Sequence, residues 1–185
     1  MSGDRGARAR IRRLRAMGLV MLVGICVAAC GVPADGGRRG ELRGWVIDTP
    51  VPKPDLTLTD TNREAFDLRA ETEGYLTLVF FGYTYCPDVC PVHMANLGAV
   101  FGDLIPEVRD RIKVVFVSTD PERDTPERLR SWLDNFDRSF VGLRGSLEDI
   151  NAALSSILLP GVAVIPGEHD SEPLIGHPSA ILAFG

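Results

Sequence analysis

A pair of cysteines set between an apolar run and a helical pattern constrains this chain more than any other feature. The segment Phe80-Phe81-Gly82-Tyr83-Thr84-Tyr85-Cys86-Pro87-Asp88-Val89-Cys90-Pro91 follows the apolar run Leu76 to Phe81 and precedes residues with helical periodicity. Strand, thiol loop and helix is the order this implies. Gly82 permits a tight exit from the strand. Pro91 has the constrained φ and missing N–H that the first position of a helix tolerates. Because proline disfavours α geometry in the residue before it, the helix is expected to begin at Pro91 rather than at Pro87. Both sulfurs then lie in one short loop at a helix N-terminus, where unpaired N–H groups and the positive end of the dipole favour thiolate over thiol. Such a site suits redox chemistry or metal binding.

The use of cysteine sharpens this. Of the four cysteines, Cys26 falls in an N-terminal leader and Cys30 just after it, at a position suited to lipidation, leaving Cys86 and Cys90 for the folded body. A pair in an exported protein is by default a structural disulfide. A bridge across three intervening residues, however, closes a very small loop and removes little entropy from the unfolded chain. Chemistry is the better explanation of the pair.

The leader has the pattern of a secretory signal over residues 1–29. Arg5, Arg8, Arg10, Arg12, Arg13 and Arg15 form its basic region and Met17 to Val27 its apolar region, which is short for a bilayer span. Val27-Ala28-Ala29-Cys30 resembles a bacterial lipoprotein signal, which would make Cys30 a lipidated first residue and hold the protein on a membrane surface. Arg12-Arg13 also suggests twin-arginine export, with weaker flanking residues. Either route places the protein outside the cytoplasm, on the extracytoplasmic face of a bacterial cell membrane. Six of the 20 Lys plus Arg and one of the 25 Asp plus Glu precede Cys30, so the processed chain carries 14 − 24 = −10. That acidic balance argues against binding nucleic acid or anionic lipid.

Residues 30–44 combine Pro, Asp, Gly and Arg without periodicity and read as a flexible tether. With 45% hydrophobic residues, the remainder, 45–185, can bury one core as a single domain. Trp45-Val46-Ile47 is a short strand candidate. Leu56 to Thr59 and Ala65 to Leu68, joined by Asp60-Thr61-Asn62, predict a hairpin. Leu76 to Phe81 is apolar on both faces, as a buried parallel strand should be. Met94, Leu97, Val100, Phe101 and Leu104 form the buried stripe of the helix after Pro91. Ile112 to Ser118 is a second buried strand. Thr125 then caps a helix begun by Pro126, with Leu129, Trp132, Leu133 and Phe136 on its inner face. Phe140 to Leu143 is a strand, Ser146 opens a helix to about Leu158 with capping-box spacing, Pro160 to Gly176 is a loop, and Ser179 to Phe184 a final strand. This alternation predicts an α/β sheet with right-handed crossovers.

Two thiolates alone can hold Cu(I), a third imidazole ligand would extend the site to Cu(II), and zinc would want a fourth ligand. Three histidines are available. His93, on the helix past Cys90, reads as solvent-exposed, and His169 as a solvated loop residue. His177 directly precedes the last strand, whose end should approach the thiol loop.

These residues together resemble the Sco/SenC family of membrane-anchored, thioredoxin-like copper proteins. The resemblance rests on Phe80 to Thr84 with Cys86-Pro87-Asp88-Val89-Cys90-Pro91, on Ser118-Thr119-Asp120-Pro121-Glu122-Arg123-Asp124-Thr125-Pro126, and on the late His177. It covers about residues 56–184 and implies a thioredoxin-like α/β fold with an N-terminal hairpin extension. It also implies a copper site, Cu(I) or Cu(II), formed by Cys86, Cys90 and His177. The function it implies is supplying copper to, or reducing the cysteines of, the dinuclear copper centre of a cytochrome c oxidase subunit. The alternative is an extracytoplasmic thiol–disulfide oxidoreductase with Cys86 and Cys90 as its catalytic redox pair, although its spacing differs from that of thioredoxin-type catalysts and it leaves His177 without a role. The Asp120 to Pro126 motif is expected to end a strand, cap a helix and pair its charges locally, without metal contact. Two departures stand out. Gly176 occupies a position where the family commonly has an acidic residue, and the chain stops at Gly185, before the further strand and C-terminal helix expected of such a domain.

Overall fold

The computed structural model describes residues 44–167 and 172–185. The leader, Cys30, most of the tether and His169 lie outside the described residues. The chain divides into two units, Met1–Asp48 and Thr49–Gly185. In the first, Trp45, Val46 and Ile47 are exposed and form no strand, contrary to expectation; their main chain is bounded by bends at Gly44 and Asp48. Among the described residues no helix is long and apolar enough to cross a membrane.

The second unit is built on a six-stranded mixed sheet. Strands β1 (Thr57–Asp60) and β2 (Ala65–Asp67) form the expected hairpin, with Leu58 opposite Phe66. Asp60 holds its turn by accepting from the N–H groups of Asn62 at 2.8 Å and Glu64 at 2.9 Å. β3 (Leu76–Gly82), β4 (Ile112–Ser118) and β5 (Val141–Arg144) are parallel neighbours, and β8 (Leu182–Phe184) runs antiparallel to β3. The strand order is β2-β1-β5-β4-β3-β8. Parallel strands need crossovers, and the chain supplies helix α1 (Val89–Asp103), a short α2 (Pro106–Arg109) that the sequence pattern did not suggest, and α3 (Pro126–Leu133). Helix α4 (Leu147–Ser156) follows β5.

Because successive strand residues face opposite sides, β3 and β4 feed two cores. Val79, Phe81, Val115 and Val117 pack with Ile150, Ala153 and Leu154 of α4. Phe80, Val114 and Phe116 pack on the other side with Met94 and Phe101 of α1 and Leu129 and Leu133 of α3. Each such large side chain contributes about 1.5–3 kcal/mol by leaving water. Val100, expected in the stripe of α1, is instead exposed. The caps follow the sequence: Thr125 accepts from Arg128 N at 3.2 Å and Ser146 from Asp149 N at 3.1 Å.

The segment read as a loop from Pro160 to Gly176 contains a separate hairpin, β6 (Ala163–Ile165) with β7 (Leu174–Gly176). Its short strands, set among prolines and glycines, leave too few residues for an alternation to show. The last strand is likewise shorter than expected. Residues 177–181 form a connection instead. Since Leu182 lies opposite Val79 and the pairing is antiparallel, stepping back from Leu182 leads along β3 towards Gly82 and the thiol loop. The register thereby delivers His177 to the cysteines.

Candidate metal centre

Helix α1 begins at Val89, two residues earlier than expected, with Asp88 as an N-cap that makes no side-chain bond. The first four N–H groups of a helix have no partner within it, so Pro91 at the third position gives up no hydrogen bond. Its ring would meet the carbonyl of residue 87, which lies outside the helix. The thiols are therefore split: Cys90 is in the first turn and buried, while Cys86 is in the preceding loop, partly buried, with its N–H donating to Tyr83 O at 3.2 Å.

Cys90 Sγ lies 3.4 Å from His177 Nε2. The ligand atoms of Cys86, Cys90 and His177 all lie within 4.8 Å of one another. His177 packs edge-on against Phe80 and Tyr83, with ring centroids 5.9 and 5.6 Å apart. Its Nδ1 is 3.0 Å from Pro178 O. A carbonyl only accepts, so Nδ1 carries the hydrogen and Nε2 keeps its lone pair for the sulfur side. The orientation that an acidic residue at position 176 would supply comes here from the backbone carbonyl of Pro178.

The thiolate expectation is overturned at Cys90. Burial pushes its thiol well up, and the neighbouring Cys86 and the carboxylate of Asp124 add to this against a lowering hydrogen bond at Tyr83. Desolvation inside the apolar cluster outweighs the helix terminus. Gly82 also has a different role from the turn first assigned to it. It is the last residue of β3, and a Cβ there would come within 2.8 Å of Cys90 Sγ and 2.7 Å of Phe80.

A buried carboxylate braces the loop. Asp124 accepts from Thr84 N at 3.1 Å, from Thr84 Oγ1 at 2.6 Å and from Ser118 Oγ at 2.6 Å. All three residues are buried. Arg128 Nε donates to Thr84 Oγ1 at 2.7 Å, and its guanidinium lies 3.7 Å from the Tyr85 ring centroid. The Asp120 to Pro126 motif adds no member, among the described residues, to the cluster of possible ligands, Cys86, Cys90 and His177. Its charges do more than pair locally, because Asp124 reaches forty residues back to the thiol loop. A buried acid after a strand was the available sign, but sequence alone did not reveal its partner. His93 is half-buried against Phe80, with centroids 5.2 Å apart, and is outside the cluster.

Residues 49–182 match the SCO1/SenC family. The chain belongs to the SCO1/SenC family. A copper-binding protein of Stutzerimonas stutzeri, so named provisionally, is 31% identical over 79% of this chain and 73% of its own length. The structure of Bradyrhizobium japonicum ScoI with copper bound is 32% identical, with a TM-score of 0.62 over 72% of this chain and 82% of its own. Apo Sco1 from Thermus thermophilus is 31% identical, with a TM-score of 0.69 over 80% and 83%. The fold is thus the thioredoxin-like fold of its Sco neighbours.

In this SCO1/SenC protein the cluster offers two soft sulfur donors and one borderline nitrogen. That set suits a soft or borderline metal of low coordination number and is one ligand short of a closed tetrahedral zinc site. Cys90 must lose its proton to ligate, so metal entry would release it.

Proposed function

We propose that this protein binds copper through Cys86, Cys90 and His177 and supplies it to, or reduces the cysteines of, the dinuclear copper centre of cytochrome c oxidase. It would do so on the extracytoplasmic face of a bacterial cell membrane, held by lipid on Cys30, with the stretch from Cys30 to Gly44 as tether to the domain. The single observation that carries the copper site is the contact of Cys90 Sγ with His177 Nε2 at 3.4 Å, between residues 87 positions apart. A redox pair alone gives that imidazole no task, which weighs against a dedicated thiol–disulfide oxidoreductase. The copper-bound state of the Bradyrhizobium neighbour and the name of the Stutzerimonas relative lend the metal its identity. The leader pattern of residues 1–30 supports the location.

Titrating the reduced protein with Cu(I) and with Cu(II) tests the site. One equivalent should bind, with Cys86→Ser weakening both ions and His177→Ala weakening Cu(II) more than Cu(I). Binding that is unchanged in both variants would refute the assignment. Delivery is read by incubating the copper-loaded protein with the copper-free, reduced oxidase domain, where transfer of metal is the expected result; reduction is read with the metal-free dithiol protein, which should convert the domain's disulfide to thiols as Cys86 and Cys90 become a disulfide.

A further inference from the structure

We infer that Arg123 is a positioning residue that ties the segment carrying His177 to the loop carrying Cys86. The inference rests on the copper site proposed above and goes beyond it by naming what aligns two distant parts of the chain. Arg123 follows β4, and its side chain divides among three directions. Nε pairs with the Asp120 carboxylate beside it, Nη1 donates to Glu172 Oε2 at 3.1 Å, and Nη2 donates to Pro173 O at 3.1 Å. The last two partners lie immediately before β7, which ends one residue before His177.

On its other side the same guanidinium lies over the rings of Tyr83 and Tyr85, 5.1 Å from the Tyr85 centroid and 5.9 Å from that of Tyr83. Tyr83 closes the circuit. Its ring packs on His177, and its hydroxyl accepts from Ile175 N at 3.4 Å. The strength of the tie is uneven. Glu172 is 80% exposed, so its ion pair counts for little in water, while Arg123 is only 19% exposed and Asp120 8%. The Asp120 pair and the Pro173 carbonyl are the firm ends.

Only a planar fork of donors can meet a carboxylate, a carbonyl and an aromatic face at once; a lysine ammonium would keep the charge and lose the reach. Arg128 cannot substitute, because its Nε is committed to Thr84 on the thiol-loop side alone. Loss of the fork should therefore loosen the histidine donor and leave the two sulfurs in place, since Asp124 and the helix hold them independently.

Arg123→Lys, His177→Ala and the double variant test this. In the copper-free protein, hydrogen exchange at the Ile175 amide is followed against that of Val115 in β4. Arg123→Lys should accelerate Ile175 about tenfold more than Val115 and weaken Cu(II) binding about tenfold, the order seen when a ligand's outer support is removed. The double variant should bind Cu(II) no more weakly than His177→Ala alone, because the two changes act through one ligand. Equal acceleration of both amides would mark a merely structural role and overturn the inference, as would no acceleration, or Cu(II) losses that add. A His177→Ala protein that binds Cu(II) like the wild type would instead overturn the copper site itself, while the Ile175 exchange still reports on Arg123.

Discussion

Asp124 holds Thr84 by two hydrogen bonds, one from the main-chain N–H at 3.1 Å and one from the hydroxyl at 2.6 Å. The pair links the start of the second crossover, just before α3, to the loop that carries Cys86. Asp124→Ala strands the buried donors of Thr84 and Ser118, each costing about 1–3 kcal/mol when left without an acceptor. Chemical denaturation should show a loss of about 2–4 kcal/mol, with weaker copper binding.

Burial raises the Asp124 carboxyl above its ordinary value, against the lowering effect of the Ser118 and Thr84 hydrogen bonds. An acid with a raised folded-state value binds its proton more tightly folded than unfolded. Its contribution is therefore fully present below the unfolded value and declines as pH rises through the folded one. The melting-temperature advantage of the wild type over Asp124→Asn should shrink as pH rises from about 4. An advantage that grows over the same range would contradict this.

Gly82→Ala forces a Cβ to within 2.8 Å of Cys90 Sγ. Overpacking of this kind costs about 1–3 kcal/mol, and the sulfur has to move away from its present place beside His177. Copper affinity should fall along with stability. Gly102→Ala, where a Cβ meets nothing within 4 Å, is the control and should leave affinity unchanged.

The two thiols differ in reach, since Cys90 is fully buried and Cys86 partly open. Iodoacetamide added to the reduced, copper-free protein should alkylate Cys86 well before Cys90, as peptide mass mapping would show. Equal rates would mean that the first turn of α1 opens freely.

Much of this architecture was legible in the chain because it follows from local patterning. The β3 and β4 runs, the Thr125 and Ser146 caps and the β1–β2 hairpin are each signalled within a few residues. The candidate ligands Cys86, Cys90 and His177 could be named for the same reason, together with the resemblance. What escaped depends on partners far along the chain. Nothing near Asp124 or Arg123 announces Thr84 or Pro173. The raised Cys90 thiol depends on burial in the apolar cluster it shares with Phe80 and Phe116, which outweighs the helix end. The start of α1 was misplaced because the preference of a residue before proline is weak, and the first turn spares Pro91 its usual cost. The β6–β7 hairpin was hidden by strands of three residues each.

X-ray absorption at the copper edge of the loaded protein tests the central claim most directly, because it counts donors by element. Two sulfurs and one imidazole nitrogen around copper, with the nitrogen lost in His177→Ala, is the result predicted. A copper shell without sulfur, or one that His177→Ala leaves unchanged, would contradict it.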